Sequence, residues 1–206
     1  MTIPAITRRT LLLALSAGAL PVFALSGCGL SERPYTEQRR WPLLVPGPAS
    51  LPPRVGGKII LVRDIGAGPG LEGDGLQSLK ADGSLATAFY ERWAVPPAQG
   101  VSDGLRVWLS QSGKFAGVIA EGSRGMADIA LEGELTVLWV NLTTHTALAT
   151  MAITAIDLRR PGRPILLQTT LNGAAPLGGL DPAAQVQAQL AALAALFAAI
   201  ETALPG

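Results

Sequence analysis

Apolar positions along this chain follow two rhythms. Near the C-terminus Val186, Leu190, Leu193, Phe197, Ile200 and Leu204 recur at spacings of 4, 3, 4, 3 and 4. That is a single stripe on a helix of 3.6 residues per turn. Asp181-Pro182 supplies an N-cap acceptor followed by a proline suited to the first helical position, so the helix is predicted to start there. Its opposite face is mostly alanine. The stripe is expected to pack along a sheet, which leaves the alanine face either to solvent or to another subunit or a lipid-bearing surface. Val101, Leu105, Trp108 and Leu109 predict a second helix that opens at Pro96-Pro97 and closes near Gly113. The uninterrupted run Leu190–Ile200 is shorter than the ~20 residues a bilayer span requires.

The remaining apolar residues come in short blocks bounded by turn formers. A first strand is predicted at Trp41–Val45, ended by Pro46-Gly47-Pro48. Ile59–Val62 is continuous and largely β-branched, as in a strand buried on both faces. Gly66–Gly75 reads as a glycine-rich loop. Leu76–Ala81 and Ser84–Tyr90 flank Asp82-Gly83, a hairpin signal. Phe115–Ala120 is a further strand. Ala127–Thr170 reads as a three-stranded meander with turns at Asn141–Thr146 and Arg159–Pro164, followed by a loop at Gly173–Gly179. On its first arm Leu131, Leu135, Val137 and Trp139 are expected to share the core face, with Glu132, Glu134 and Thr136 opposite. Trp41, Trp93, Trp108 and Trp139 are read as core anchors.

Composition narrows the function. The 206 residues are enough for one domain, and 49% hydrophobic with 15% charged excludes a disordered chain. Mean hydropathy is +0.36. A formal charge of +1 provides no basic field for nucleic acid. One Cys excludes an internal disulfide framework and a cysteine-built zinc site, and one His excludes most histidine metal sites. The candidate chemistry is correspondingly thin. Gly68-Pro69-Gly70-Leu71-Glu72-Gly73 matches G-x-G-x-x-G, but a hairpin strand follows where a phosphate-binding helix should open, so it reads as a loop. His145 sits in a predicted turn with no nucleophile assigned to it. Gly122-Ser123-Arg124-Gly125 lacks the G-x-S-x-G pattern of a nucleophile elbow. Glu132 and Glu134 read as the solvated side of a sheet. Arg159, Arg160 and Arg163 form a basic turn that suits solvent, anionic lipid headgroups or an acidic partner. No catalytic residue, cofactor or metal is predicted.

The N-terminus carries the most specific signal. Arg8 and Arg9 precede the apolar run Leu11–Ala24, which is followed by Leu25-Ser26-Gly27-Cys28. The order is that of an export signal, and the last four residues resemble the lipobox of bacterial lipoproteins. That resemblance implies cleavage before Cys28 and acylation of its thiol and new amine, which would fix the protein firmly to a membrane. Thr7-Arg8-Arg9-Thr10-Leu11-Leu12 also resembles a twin-arginine export motif. Cleavage would remove residues 1–27 and leave a nearly neutral domain. Residues 28–40 then read as a polar tether, with the domain proper at 41–206.

Lys58–Ile65, Tyr90-Glu91-Arg92-Trp93-Ala94, Leu105–Leu109, Ser112–Val118, Ala127-Asp128 with Leu131–Leu135, and the closing Ala/Leu helix together resemble the ABC-type transport auxiliary lipoprotein family. The resemblance runs from Cys28 to Leu204. It implies an α/β fold: a mixed β-sheet sandwiched by helices, similar to the N-terminal domain of TolB, with an antiparallel meander and a long C-terminal helix. It further implies a non-enzymatic, lipid-anchored periplasmic protein that accompanies an MCE-domain ABC transporter in moving phospholipid between membranes. Gly29 after the lipidated Cys, in place of Asp, implies the outer membrane by the familiar sorting rule. The glycine-rich stretch Gly66–Gly75 departs from the shorter, Tyr-containing stretch of many members. The alternative from another class is an oligomeric envelope scaffold or pore component that handles no lipid, motivated by the alanine face of the last helix. Homo-oligomers fit either reading.

Overall fold

Residues 35–206 are described by the computed structural model; the export segment and Cys28 lie outside the described residues. The elements run β1 (Arg39–Trp41), β2 (Ile59–Val62), β3 (Gly66–Ala67), β4 (Gly75–Leu79), β5 (Leu85–Trp93), α1 (Pro97–Gln111), β6 (Gly117–Ala120), β7 (Ile129–Asn141), β8 (Thr146–Asp157), β9 (Ile165–Pro176) and α2 (Pro182–Ala203). They form the expected α/β arrangement, one mixed sheet with two helices.

The sheet is organised around β7. One edge of β7 pairs antiparallel with β8 along its whole length, and β9 pairs antiparallel with β8 beyond it. The other edge of β7 is divided. Its first residues run parallel to β2, with Ile129 opposite Ile60, and β6 lies outside β2. Glu134 and Leu135 face β3. Val140 and Asn141 run parallel to the end of β4, which leads on to β5 and β1. Parallel pairs of this kind need long connections, and here the intervening loops, hairpin and α1 provide them.

Both predicted helices form. Asp181 Oδ1 accepts the amide of Ala184 at 3.0 Å, and Pro182 occupies the first position of α2. All six residues of its apolar stripe are buried. α1 starts at Pro97, and Gly113 follows it at φ 68°, as expected of the residue that ends a helix. The helices meet where Trp108 and Phe197 stack edge to face at 5.8 Å and where Gly104 leaves room for the Phe197 ring. The Trp108 indole N–H donates to Glu201 Oε2 at 2.8 Å, and the Lys114 ammonium donates to the Glu201 carbonyl at the end of α2. Each large apolar side chain buried here contributes about 1.5–3 kcal/mol.

Several expectations are corrected. The first strand is Arg39–Trp41, not Trp41–Val45: Pro42 has no amide and cannot continue the ladder. Arg39 and Arg40, read as the end of the tether, therefore belong to the sheet. Val137 and Trp139 do not share the core face of Leu131 and Leu135. Leu135 pairs with Met151 and Val137 with Thr150, so Thr136 is an extra residue, a β-bulge. From there the alternation inverts: Leu138 and Val140 are buried, and Val137 and Trp139 turn to the half-buried opposite face. Trp93 and Trp108 are core residues as expected, Trp41 is only part-buried against the core, and Trp139 lies outside it.

Gly173–Gly179 is not wholly a loop, because β9 continues to Pro176. Gly173 is where α2 crosses β9, and a Cβ there would overlap the helix backbone at Ala192 and Leu196. Within Gly66–Gly75, Gly66 and Ala67 form β3. The β4–β5 hairpin is present, but its turn is longer than two residues. Gly83 N–H bonds to Lys80 O at 3.0 Å, Gly83 has φ 81°, and Lys80 N–H bonds to Ser84 O at 2.9 Å. That is a type I turn closed by a left-handed glycine.

Candidate functional site

Cys28, the one predicted modification site, lies outside the described residues. The other residues weighed above are all placed, and they are not brought together. His145 is an exposed turn residue at φ 50°, and its carbonyl accepts the amide of Leu177 at 2.8 Å. Asn141 Oδ1 shapes the same turn by accepting the amides of Thr143 and Thr144 at 2.9 and 3.0 Å. Its role is to join β7 to β8 and hold the end of β9. Glu132 pairs with Arg63 at 3.2 Å, and Glu134 is exposed on the same sheet face. With Thr154, Gln168 and Thr170 they line a shallow recess of about 410 Å³. Gly68 lies against the edge of β7, its amide bonded to Leu135 O at 2.8 Å. Among the described residues no group of three or more His, Cys, Asp or Glu is placed to hold a metal ion.

The arginine turn forms one end of the sheet. Arg159 pairs with Asp128 at 3.2 Å and Arg160 with Asp157 at 3.4 Å. Lys58 and Leu166 join them around a recess of about 280 Å³. Its charges are mostly paired and solvated, and exposed pairs of this kind contribute little to stability.

Two features were not visible in advance. The first is the network that receives the chain arriving from the tether. Arg39 Nε donates to Glu91 Oε1 and the Trp41 indole N–H to Glu91 Oε2, both at 2.8 Å. The Arg39 guanidinium also lies 5.7 Å from the Trp41 ring centre. Gln38 Nε2 donates to Phe89 O at 3.1 Å. Arg92, one residue along β5, clasps Asp74 through Nε at 2.7 Å. This hydrogen bond holds the Asp74 carboxyl below its ordinary value of 3.8, against a smaller opposing effect of desolvation. The sequence marks β5 as a strand but not its partner, since a three-residue β1 has no periodicity to detect.

The second feature is an apolar groove of about 150 Å³ between Leu43, Leu44 and Val45 on one side and Gly104 and Val107 of α1 on the other. Leu44 is 73% exposed and Val107 53%. The helical spacing of Val101, Leu105 and Trp108 hides Val107, which faces outward. These surfaces can bind an apolar or extended partner.

A family model described as "ABC-type transport auxiliary lipoprotein component" matches residues 43–201. The chain belongs to that family. No curated protein matches it. Among solved structures, this auxiliary component is similar to protein XCC0632 from Xanthomonas campestris, of family DUF330. Identity is 20%, the TM-score is 0.63, and the match covers 79% of this chain and 92% of that one. An uncharacterised protein is similar at 14% identity and TM-score 0.63, covering 81% and 98%. Hypothetical protein CT253 from Chlamydia trachomatis is similar at 10% identity and TM-score 0.50, covering 70% and 96%. At these identities the likeness is one of fold. The expected α/β class and family membership both stand, and the auxiliary component is by family a lipoprotein associated with ABC transport.

Proposed function

We propose that this auxiliary component is anchored through acylated Cys28 to the periplasmic face of the outer membrane and serves an MCE-domain ABC transporter that moves phospholipid between membranes. The observation that carries the reading is the family match across residues 43–201. The ordered export signal and lipobox ending at Cys28 supply the anchor, and Gly29 favours the outer membrane. Export through the membrane precedes acylation in this scheme, and the polar residues between Cys28 and β1 act as the tether. Twelve extended residues span at most about 40 Å, so the domain stays near its own leaflet. The apolar groove beside α1 suits a protein partner in the transporter. The protein does this work as a binding component, with no catalysis of its own and no cofactor.

Acyl labelling tests the anchor. Label is expected on the wild-type chain and absent from Cys28→Ser, with the mature N-terminus at Cys28 by mass spectrometry. Affinity purification in mild detergent is expected to recover an MCE-domain protein. An unacylated N-terminus elsewhere, together with no such partner, would overturn the proposal. The alternative, an envelope scaffold without lipid handling, draws on the alanine-rich exposed face of α2. Extraction of the purified protein separates the two, since only the first predicts co-purifying phospholipid.

A further inference from the structure

The surface from β9 to α2 is unlike the rest of the molecule. Charged residues are 15% of the chain, yet from Ile165 to Ile200 the one charged side chain is Asp181. Among the described residues β9 pairs only with β8, so the other edge of this 12-residue strand is open. Open edges are normally guarded by charge, by proline or by shortness, because they template pairing with another chain. Within β9 the sole such device is Pro176, at its last position.

We propose that two copies of this chain join along the open β9 edges, antiparallel, about a two-fold axis at Thr170. The observations select this register. In a pleated sheet, residues paired across an interface must point to the same face, so the two partners must both be even-numbered or both odd-numbered. With the axis at Thr170, Gln168 faces the partner's Asn172, Thr169 faces the partner's Leu171 and Leu167 faces the partner's Gly173. Pro176, which has no amide to give, falls outside the ladder. Moving the axis one residue toward the N-terminus shortens the ladder; moving it one residue the other way brings Pro176 in. In the chosen register no charges oppose one another, and a threonine pair, a favourable cross-strand match, lies on the axis.

The helices fit the same geometry. α2 packs over β9 and β8. Strands are about 4.8 Å apart, so joining two β9 edges sets the two α2 helices roughly 10 Å apart. Helices pack at about 8–10 Å when the side chains between them are small. Ten of the 22 residues of α2 are alanine. A strand from an unrelated protein would satisfy the open edge but would account for neither the self-matching register nor the alanines. The proposal is independent of acylation and of the transport role.

The experiment uses the full-length chain purified in mild detergent. Native mass spectrometry at micromolar concentration is expected to show an even number of copies. Opposed residues in an antiparallel ladder have Cα atoms about 4.5–5.5 Å apart, within disulfide reach. Thr170→Cys is therefore expected to form a covalent dimer on mild oxidation, with the wild-type chain alongside to account for Cys28. Gln168→Cys alone is not expected to do so, because residue 168 lies about 14 Å along the ladder from its own copy. A mixture of Gln168→Cys and Asn172→Cys chains is expected to cross-link. Thr170 is exposed, so Thr170→Lys should keep its circular dichroism and melting temperature while placing two ammonium groups on the axis and halving the mass. A monomeric wild type, a Thr170→Lys chain that keeps the wild-type mass, a ring in which Thr170→Cys does not cross-link, or equal cross-linking by Gln168→Cys alone would each overturn the proposal.

Discussion

Gly173→Ala is expected to be the most damaging single methyl in the sheet. A Cβ at this position would lie 2.9 Å from Leu196 Cα and closer still to Ala192 O and Leu196 N. All three are backbone atoms of α2, and no rotamer change moves them aside. Ordinary contact begins near 3.4 Å, so the helix must withdraw by about 1 Å over this turn. A gap of 0.5–1 Å forfeits a quarter to a half of each dispersion contact, and a buried leucine makes 40–60 contacts of about 0.1–0.2 kcal/mol. The loss is thus on the order of 1–3 kcal/mol for each large side chain that lifts, and Leu193, Leu196 and Phe197 are all fully buried here. Partial relaxation reduces the sum, and overpacking typically costs about 1–3 kcal/mol. We expect about 3 kcal/mol, read as a shift of the urea midpoint at constant slope, or as a fall in Tm of roughly 6–12 °C for a domain of this size. Gly117→Ala is the control. There a Cβ meets only Ile59 side-chain atoms, at 3.8 and 3.9 Å. A loss under about 1 kcal/mol, or one no larger than that of Gly117→Ala, would refute the close-approach reasoning.

Three further outcomes are expected. Because Arg92 lowers the Asp74 pKa, this pair's stabilisation is fully present above the ordinary value of 3.8 and lost as pH falls through the depressed value; Asp74→Asn should lower stability at neutral pH and flatten the acid limb of a stability–pH curve measured by urea titration. Deleting Thr136 should return Val137 and Trp139 to the core face and expel Leu138 and Val140, so that the chain loses its cooperative thermal transition by near-ultraviolet circular dichroism; a cooperative, native-like melt would contradict the bulge assignment. His145→Gly should stabilise the protein by about 1 kcal/mol by relieving the left-handed conformation of a residue with a Cβ, with co-purification of transport partners unchanged, whereas a catalytic histidine would cost function.

The parts legible in the sequence are those with a sustained period. α2 was marked by six stripe positions and a cap, α1 by its proline entry and apolar spacing, and β7–β9 by long apolar arms between turn residues. What stayed hidden has local causes. The bulge at Thr136 leaves no mark on the apolar pattern, since Leu135, Val137 and Leu138 are equally acceptable on either side. Gly173 resembles a loop glycine when read alone, because its reason is a helix arriving from further along the chain. β1 is three residues long, and Pro42, which ends it, was passed over in favour of the more conspicuous Pro46-Gly47-Pro48. The candidate site divides in the same way. The lipobox is contiguous and readable, whereas the groove beside α1 and the open edge of β9 exist only once strands have found their neighbours.

The divided edge of β7 also bears on the order in which the molecule can assemble. Ile60 waits for Ile129, 69 residues later, and Ser78 waits for Val140. A chain emerging N-terminus first can close the β4–β5 hairpin early, but it has no central strand on which to seat the two wings until the middle of the polypeptide is out. Such long-range closure is slow. The nascent protein therefore spends its passage to the envelope loosely structured, a condition that suits threading through a narrow conduit, and it commits to its final shape only after most of the chain has crossed.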